Sequence, residues 1–200
     1  MNTLTISAQH RESTGKSSSR KVREQGHIPA VIYGGDQPIH IYLEPMAVRP
    51  LVYSPNFQIA EMTIGTDSLR CILKDVQYHP VTDEVQHIDF LQLSPGKKVK
   101  VELPVRFKGD SPGVRLGGKL IQKMRRAKVL TTPEHLVDQL LVDISKLEMG
   151  QSIRVRDIEA RDGIEIMNAP AIPVATINIP RSMRSAATAE KKATAKGENA

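Results

Sequence analysis

The sequence predicts a mainly β protein with short helices. A small β-barrel domain over residues 1–93 precedes a second all-β domain over 94–181 and a disordered tail over 182–200. Three observations carry this. Short segments that alternate apolar and polar residues recur along the chain, each bounded by Gly, Pro or Asp, which is strand spacing rather than helix spacing. SPGKK at 94–98 gathers Pro, Gly and charge at one point, the composition of a domain boundary. After Met183 the chain is rich in Ala, Lys, Glu and Thr with no strong apolar residue, too little to bury.

The opening TLTISAQH alternates as a strand. GKSSSRKVREQGH then reads as a Gly-led loop entering a short helix, with one of Ser17 to Ser19 as N-cap and Gly26 closing the C-terminus. Only Val22 offers that helix a core anchor. IPAVIYGG (28–35) and PIHIYL (38–43) pair as a hairpin across YGGDQP. EPMAVRPLVYSP (44–55) predicts a second short helix, started by Pro45 and disturbed by Pro50. FQIAEMTIG (57–65), SLRCILKDVQYHP (68–80) and VQHIDFLQL (85–93) complete six strands, enough for a closed or half-closed barrel.

In the second half VKVELPVRFKG sets Val99, Val101, Leu103, Val105 and Phe107 on one face and Lys100, Glu102, Arg106 and Lys108 on the other, predicting a half-buried antiparallel strand. GDSPGVRLGGK (109–119) is a Gly-rich excursion, and LIQKMRRAKVLTT supplies one or two strands. PEHLVDQL is expected to hold a single helical turn after Pro133. LLVDISKL, QSIRVRDI, GIEIMN and PVATINIP add four short strands.

Composition limits the function. Aromatics are 4% of the chain and Trp is absent, so extended aromatic stacking platforms are not expected. The single Cys71 excludes an internal disulfide and fits a reducing compartment. No apolar run reaches the roughly 20 residues of a membrane span, and the first residues lack the apolar stretch of a secretion signal, so a soluble cytoplasmic protein is expected. The net charge of +6 is unevenly placed. Residues 11–23 carry five basic residues (Arg11, Lys16, Arg20, Lys21, Arg23) against Glu12, whereas residues 24–93 carry three basic and nine acidic ones. The first domain is thus an acidic body bearing one basic segment.

Candidate sites divide sharply. SPGVRLGGK lacks the spacing of a phosphate loop, because Leu120 follows Lys119 and no helix follows. The six His fall into no metal-binding motif, and Cys71 in an apolar strand reads as an inert buried thiol. No catalytic constellation stands out. Arg20 and Arg23 share one helix face, with Lys16 near its N-terminus, and a short helix with almost no core contact would gain order from a phosphate-lined groove. A charge run on a helix is also, ordinarily, a solvated face, and composition does not choose between the two. His87 and Asp89 share one face of a strand while Ile88 and Phe90 share the other. In isolation that pair reads as a modest surface ion pair. Beside RNA, a carboxylate is tolerated only where it accepts a defined donor: a base amino group, a ribose 2′-OH or a neighbouring Arg.

Four motifs in one order, Arg11…Gly15-Lys16-Ser17-Ser18-Ser19-Arg20-Lys21-Val22-Arg23, Ile28-Pro29-Ala30-Val31-Ile32-Tyr33-Gly34-Gly35, Lys74-Asp75-Val76-Gln77-Tyr78-His79-Pro80 and Gln86-His87-Ile88-Asp89-Phe90, resemble the bacterial ribosomal protein L25 family. VKVELPVRFKGDSPGVRLGGKL is similar to the added C-terminal domain of its longer, CTC-type (general stress) members. The resemblance implies a non-enzymatic protein of the large ribosomal subunit whose barrel docks on the loop E region of 5S rRNA. It implies the contact set Arg11, Lys16, Ser19, Arg20, Arg23, Tyr33, Gln77, His87 and Asp89, with no cofactor of the protein's own, any magnesium belonging to the RNA. Lys21 and Val22 stand where the family often has Arg and Leu. Lys123, Arg125, Arg126 and Lys128 would suit neighbouring rRNA or ribosomal proteins, or equally a solvated strand face. Two rival readings stay open: a free stress-response RNA-binding factor, and a tRNA-related enzyme fragment, against which the lack of a nucleotide-binding motif counts.

Overall fold

The computed structural model describes residues 3–158 and 163–180. These fall into two compact units, one of residues 3–104 with 128–139 and 163–165, the other of 105–127, 140–158 and 166–180. The expected disordered tail lies outside the described residues.

The first unit contains a closed barrel. Its elements in chain order are β1 (Thr3–His10), α1 (Lys16–Glu24), β2 (Ile28–Tyr33), β3 (Ile39–Leu43), α2 (Pro45–Val52), β4 (Ile59–Ile64), β5 (Asp67–Tyr78) and β6 (Val85–Gln92). The strands close in the order β1-β3-β2-β6-β5-β4. The β2–β3, β4–β5 and β5–β6 hairpins are antiparallel, as the short turns between them require. Closure comes from two parallel pairings that no local signal announces: β1 with β4, Thr3 opposite Ile59 through Ala8 opposite Ile64, and β2 with β6, Ala30 opposite Ile88 through Tyr33 opposite Leu91. Inside lie Ile6, Ile32, Ile41, Met62, Ile88 and Phe90, all essentially inaccessible to solvent, with Val48 and Leu51 of α2 in the same core. Each such aliphatic side chain contributes roughly 1.5–3 kcal/mol by burial.

Each helix departs from expectation at one point, α1 at its N-cap and α2 at Pro50. The N-cap of α1 is Gly15, and none of Ser17 to Ser19 caps it. At φ 112° Gly15 turns the chain in a conformation that L side chains rarely adopt, so the helix begins at Lys16 and the serines fall inside it. Gly26 does close the helix: at φ 79° it lets Gly26 N–H reach Arg23 O and His27 N–H reach Val22 O, the paired bonds of a Schellman end. Pro50 does not interrupt α2, which runs through it to Val52. The bond that Pro50 cannot donate would go to Met46 O, one turn earlier near the helix start, and Met46 is exposed enough for water to serve that carbonyl.

The remaining strands are β7 (Val99–Lys108), β8 (Lys119–Gln122), β9 (Arg126–Thr131), β10 (Leu140–Asp143), β11 (Ser152–Arg154), β12 (Ile164–Ile166) and β13 (Pro173–Asn178). They form a sheet of order β10-β7-β9-β12 and another of order β11-β13-β8. The alternation along β7 holds, with Val99, Val101, Leu103 and Val105 buried. Its pairing with β10, however, is parallel, Leu140 opposite Val105 through Asp143 opposite Lys108, because residues 109–139 are long enough to carry the chain back to Val105. The Gly-rich excursion contains a one-turn helix, α3 (Pro112–Arg115), capped by Ser111, whose side chain accepts from Gly113 N–H and donates to Leu147 O. The turn after Pro133 is a β-turn, closed by His135 N–H on Thr132 O, and not a helix. In the second unit Ile144, Leu147 and Ile177 form a small core with Phe107, Leu120, Met149 and Ile153 against them.

Candidate nucleic-acid interface

The polar face of the barrel is built by a local defect in one hairpin. Along β5 and β6, Cys71, Ile72 and Leu73 sit opposite Gln92, Leu91 and Phe90 in regular register. The next partners are Asp75 with Asp89, so Lys74 is an extra, bulged residue. Val76 then faces Ile88 and Gln77 faces His87, after which Tyr78 pairs with Val85 and Gln86 is bulged in turn. Two compensating bulges thus bracket three residue pairs and restore the original register beyond them. Within this window Val76 and Ile88 point into the core, while Asp75, Gln77, His87 and Asp89 point outward.

β2 continues the same face. Val31 lies beside Asp89, and Tyr33, half-buried, stands two residue pairs further on, opposite Leu91. Burial, then the charge of Asp89 and then that of Asp75, hold the Tyr33 hydroxyl above its ordinary pKa, so it stays a neutral phenol able to donate. Gly34 follows at φ 101°. A Cβ there would come within 2.7 Å of Leu91 Cδ1, so only glycine lets the chain leave β2 tight against β6. His87 Nδ1 lies 2.8 Å from Asp89 Oδ1, both side chains about a quarter exposed (25% and 30%). The contact lacks the alignment of a hydrogen bond, and Nδ1 is otherwise buried without a partner among the described residues. The pair is therefore a close electrostatic contact rather than a satisfied bond.

The basic segment is tied to this face. α1 buries only Val22, worth about 1.5 kcal/mol, and nine residues are too few to hold a helix alone. Side chains supply the rest. Arg23 Nε donates to Gln86 O at 3.1 Å, using the carbonyl at the second bulge and joining the helix to the residue beside His87. Arg11 Nη1 donates to Ser19 Oγ at 3.1 Å, and Ser19 Oγ donates to Gly15 O at 2.9 Å, fixing the loop ahead of the helix. Arg11 Nε is buried without a partner among the described residues, a donor whose cost would be relieved by an acceptor. Arg20 Nε pairs with Glu24 Oε1 at 2.9 Å on a face where the Arg side chain is 81% exposed, worth no more than about 0.5 kcal/mol and easily exchanged. Lys16 opens the helix in solvent.

Of the nine sequence-derived candidates, then, Tyr33, Gln77, His87 and Asp89 share one barrel face, Arg23 is bonded to its margin, Arg11 and Ser19 are bonded to each other, and Lys16 and Arg20 are displayed on the helix. Asp75 was not among the candidates, yet it lies in the middle of the face. A signal for it existed: the inward Cys71 and Leu73 are two apart, but the next inward residue is Val76, three further on, and that skipped beat marks the bulge. Among the described residues no group of three or more His, Cys, Asp or Glu could hold a metal ion. Cys71 is buried, with its thiol pushed up to about 12.

A closed barrel with an outward polar window and a basic helix bonded to its edge is the class of fold that the chain presents. The particular family follows from comparison. Residues 6–90 match the Ribosomal L25p family and residues 98–181 match the ribosomal protein TL5 C-terminal domain. The chain is 36% identical over 192 residues to a protein of Cytophaga hutchinsonii, covering 96% of this chain and 100% of that one. It is 38% identical over 189 residues to one of Porphyromonas gingivalis (94% and 98%), and 33% identical over 182 to one of Bacteroides fragilis (91% and 92%). All three are named large ribosomal subunit protein bL25. The chain belongs to the ribosomal L25 family, in its two-domain form.

Proposed function

We propose that this protein is a structural, non-catalytic component of the bacterial large ribosomal subunit, cytoplasmic and ribosome-associated, that binds the loop E region of 5S rRNA through its barrel. The observation that carries the reading is the bracketed window on β5 and β6. It turns Gln77, His87 and Asp89 outward together and ties Arg23 to its edge through the carbonyl of Gln86. Such a face combines donors and acceptors for base edges and ribose hydroxyls with cations for phosphates, which suits a non-Watson–Crick RNA groove whose edges are accessible. The basic residues supply affinity and the window supplies selectivity. Binding of the full chain to a 5S rRNA transcript, to the same transcript with loop E rebuilt as Watson–Crick pairs, and to tRNA tests it. Clear preference for the intact transcript is expected, and equal affinity for all three would refute it.

A further inference from the structure

In an unbulged β5–β6 ladder the regular register would place Lys74, not Asp75, opposite Asp89. A cross-strand Lys–Asp pair would stabilise the hairpin, whereas two carboxylates directly opposite destabilise it. The bulge makes the costlier choice. It sends the Lys74 ammonium to Lys100 O, at 3.0 Å, and sets a second carboxylate beside Asp89. Asp75 is exposed, and among the described residues its Oδ1 accepts only from the neighbouring backbone N–H of Val76, at 3.0 Å. A bulge needed merely to curve the barrel has no reason to exchange a counter-ion for a like charge, and bulges beside functional sites typically re-aim a side chain.

Building on the RNA-binding reading above, we propose that Asp75 is a specificity-determining residue. With Asp89 it forms a two-carboxylate floor that accepts the donor groups of an opened RNA groove and repels the phosphates of a regular duplex. Withholding Lys74 denies Asp89 a cation beyond its His87 contact at Oδ1, so that its remaining acceptor capacity is available to the ligand. The flanking cations of α1 then hold the backbone at the rim while only donors reach the floor.

The test uses the full chain with two probes: the 5S rRNA transcript, and the transcript with loop E rebuilt as Watson–Crick pairs. Asp75→Asn keeps the size and the Val76 bond, and is expected to weaken binding to the intact transcript about tenfold, as for one charged hydrogen bond. Its binding to the rebuilt transcript should hold or rise. Asp75→Lys restores the charge pairing of the regular register, and is expected to bind the rebuilt transcript more tightly than the parent while losing most of the preference for the intact one. Neither variant should melt below the parent, since each removes a like-charge contact. If both variants keep the parent's ratio of affinities, whether binding is unchanged or weakened equally for both RNAs, Asp75 has no part in specificity. A parent chain that itself shows no preference would instead sink the RNA reading, and this proposal with it.

Discussion

Replacing Arg23 separates the anchoring bond that the structure shows from the phosphate contact that the proposed function adds. Its Nε donates to Gln86 O at 3.1 Å, holding α1 against the barrel, and the rest of its fork faces solvent where a phosphate would lie. Arg23→Ala removes both. The bond is charged on one side, which elsewhere is worth about 1.5–3 kcal/mol. On this exposed helix, with water ready to replace the donor, under about 1 kcal/mol is expected, a small loss in thermal melting. For binding, loss of one phosphate contact should reduce the slope of log K against log salt by about 0.7–0.9. Arg23→Lys keeps the positive charge but not the planar fork. It should restore the salt slope while recovering only part of the affinity, because the helix is no longer fixed through Nε. Fluorescence anisotropy with labelled 5S rRNA across a KCl series, beside melting curves, gives all three quantities. If Arg23→Ala leaves both slope and affinity unchanged, the bond to Gln86 is structural and the helix is not a phosphate clamp. If Arg23→Lys behaves like Arg23→Ala in slope, charge is not what the RNA reads there.

Two further outcomes are expected. Asp89→Asn should weaken binding to 5S rRNA by about 1–3 kcal/mol, as for one charged acceptor lost, with binding to unrelated RNA unchanged or slightly tighter; tighter binding to both RNAs would make Asp89 an ordinary surface charge. The Cys71 thiol, pushed up from 9.0 to about 12 by burial, favours the neutral form in the fold, so its contribution to stability is present below about pH 9 and is lost as pH rises from there toward 12. Urea unfolding should therefore show a steeper alkaline decline for the parent than for Cys71→Ala, and native Cys71 should resist iodoacetamide; matching declines or rapid native alkylation would contradict the buried, inert thiol.

How much of this was legible depends on whether the information was local. Alternation located β1 and the long β7, because one buried face forces a period of two, and short apolar runs bounded by turn residues located the other barrel strands. Gly26 was legible as a helix end, since a left-handed residue closing a short helix is a local requirement. The parallel closures of β1 on β4 and β2 on β6 were not, because partners more than fifty residues apart leave no mark on either strand. Asp75 was missed for a different reason. Its strand reads as continuous until burial fixes which residues point inward, and only then does the step from Leu73 to Val76 expose the inserted Lys74. That His87 and Asp89 share one face followed from their i, i+2 spacing, but the anchor that brings Arg23 to the same face is a backbone carbonyl, which no sequence motif displays.

The central claim is that one barrel face, with α1 at its edge, carries the RNA. Hydrogen–deuterium exchange of the full chain, free and saturated with 5S rRNA, tests this most directly. Added protection should concentrate in residues 11–26, in the 74–78 segment and in 85–90, with residues 39–64 little changed. Protection confined to 99–180, or falling on α2 while 74–90 exchanges as in the free protein, would place the RNA elsewhere and contradict the account.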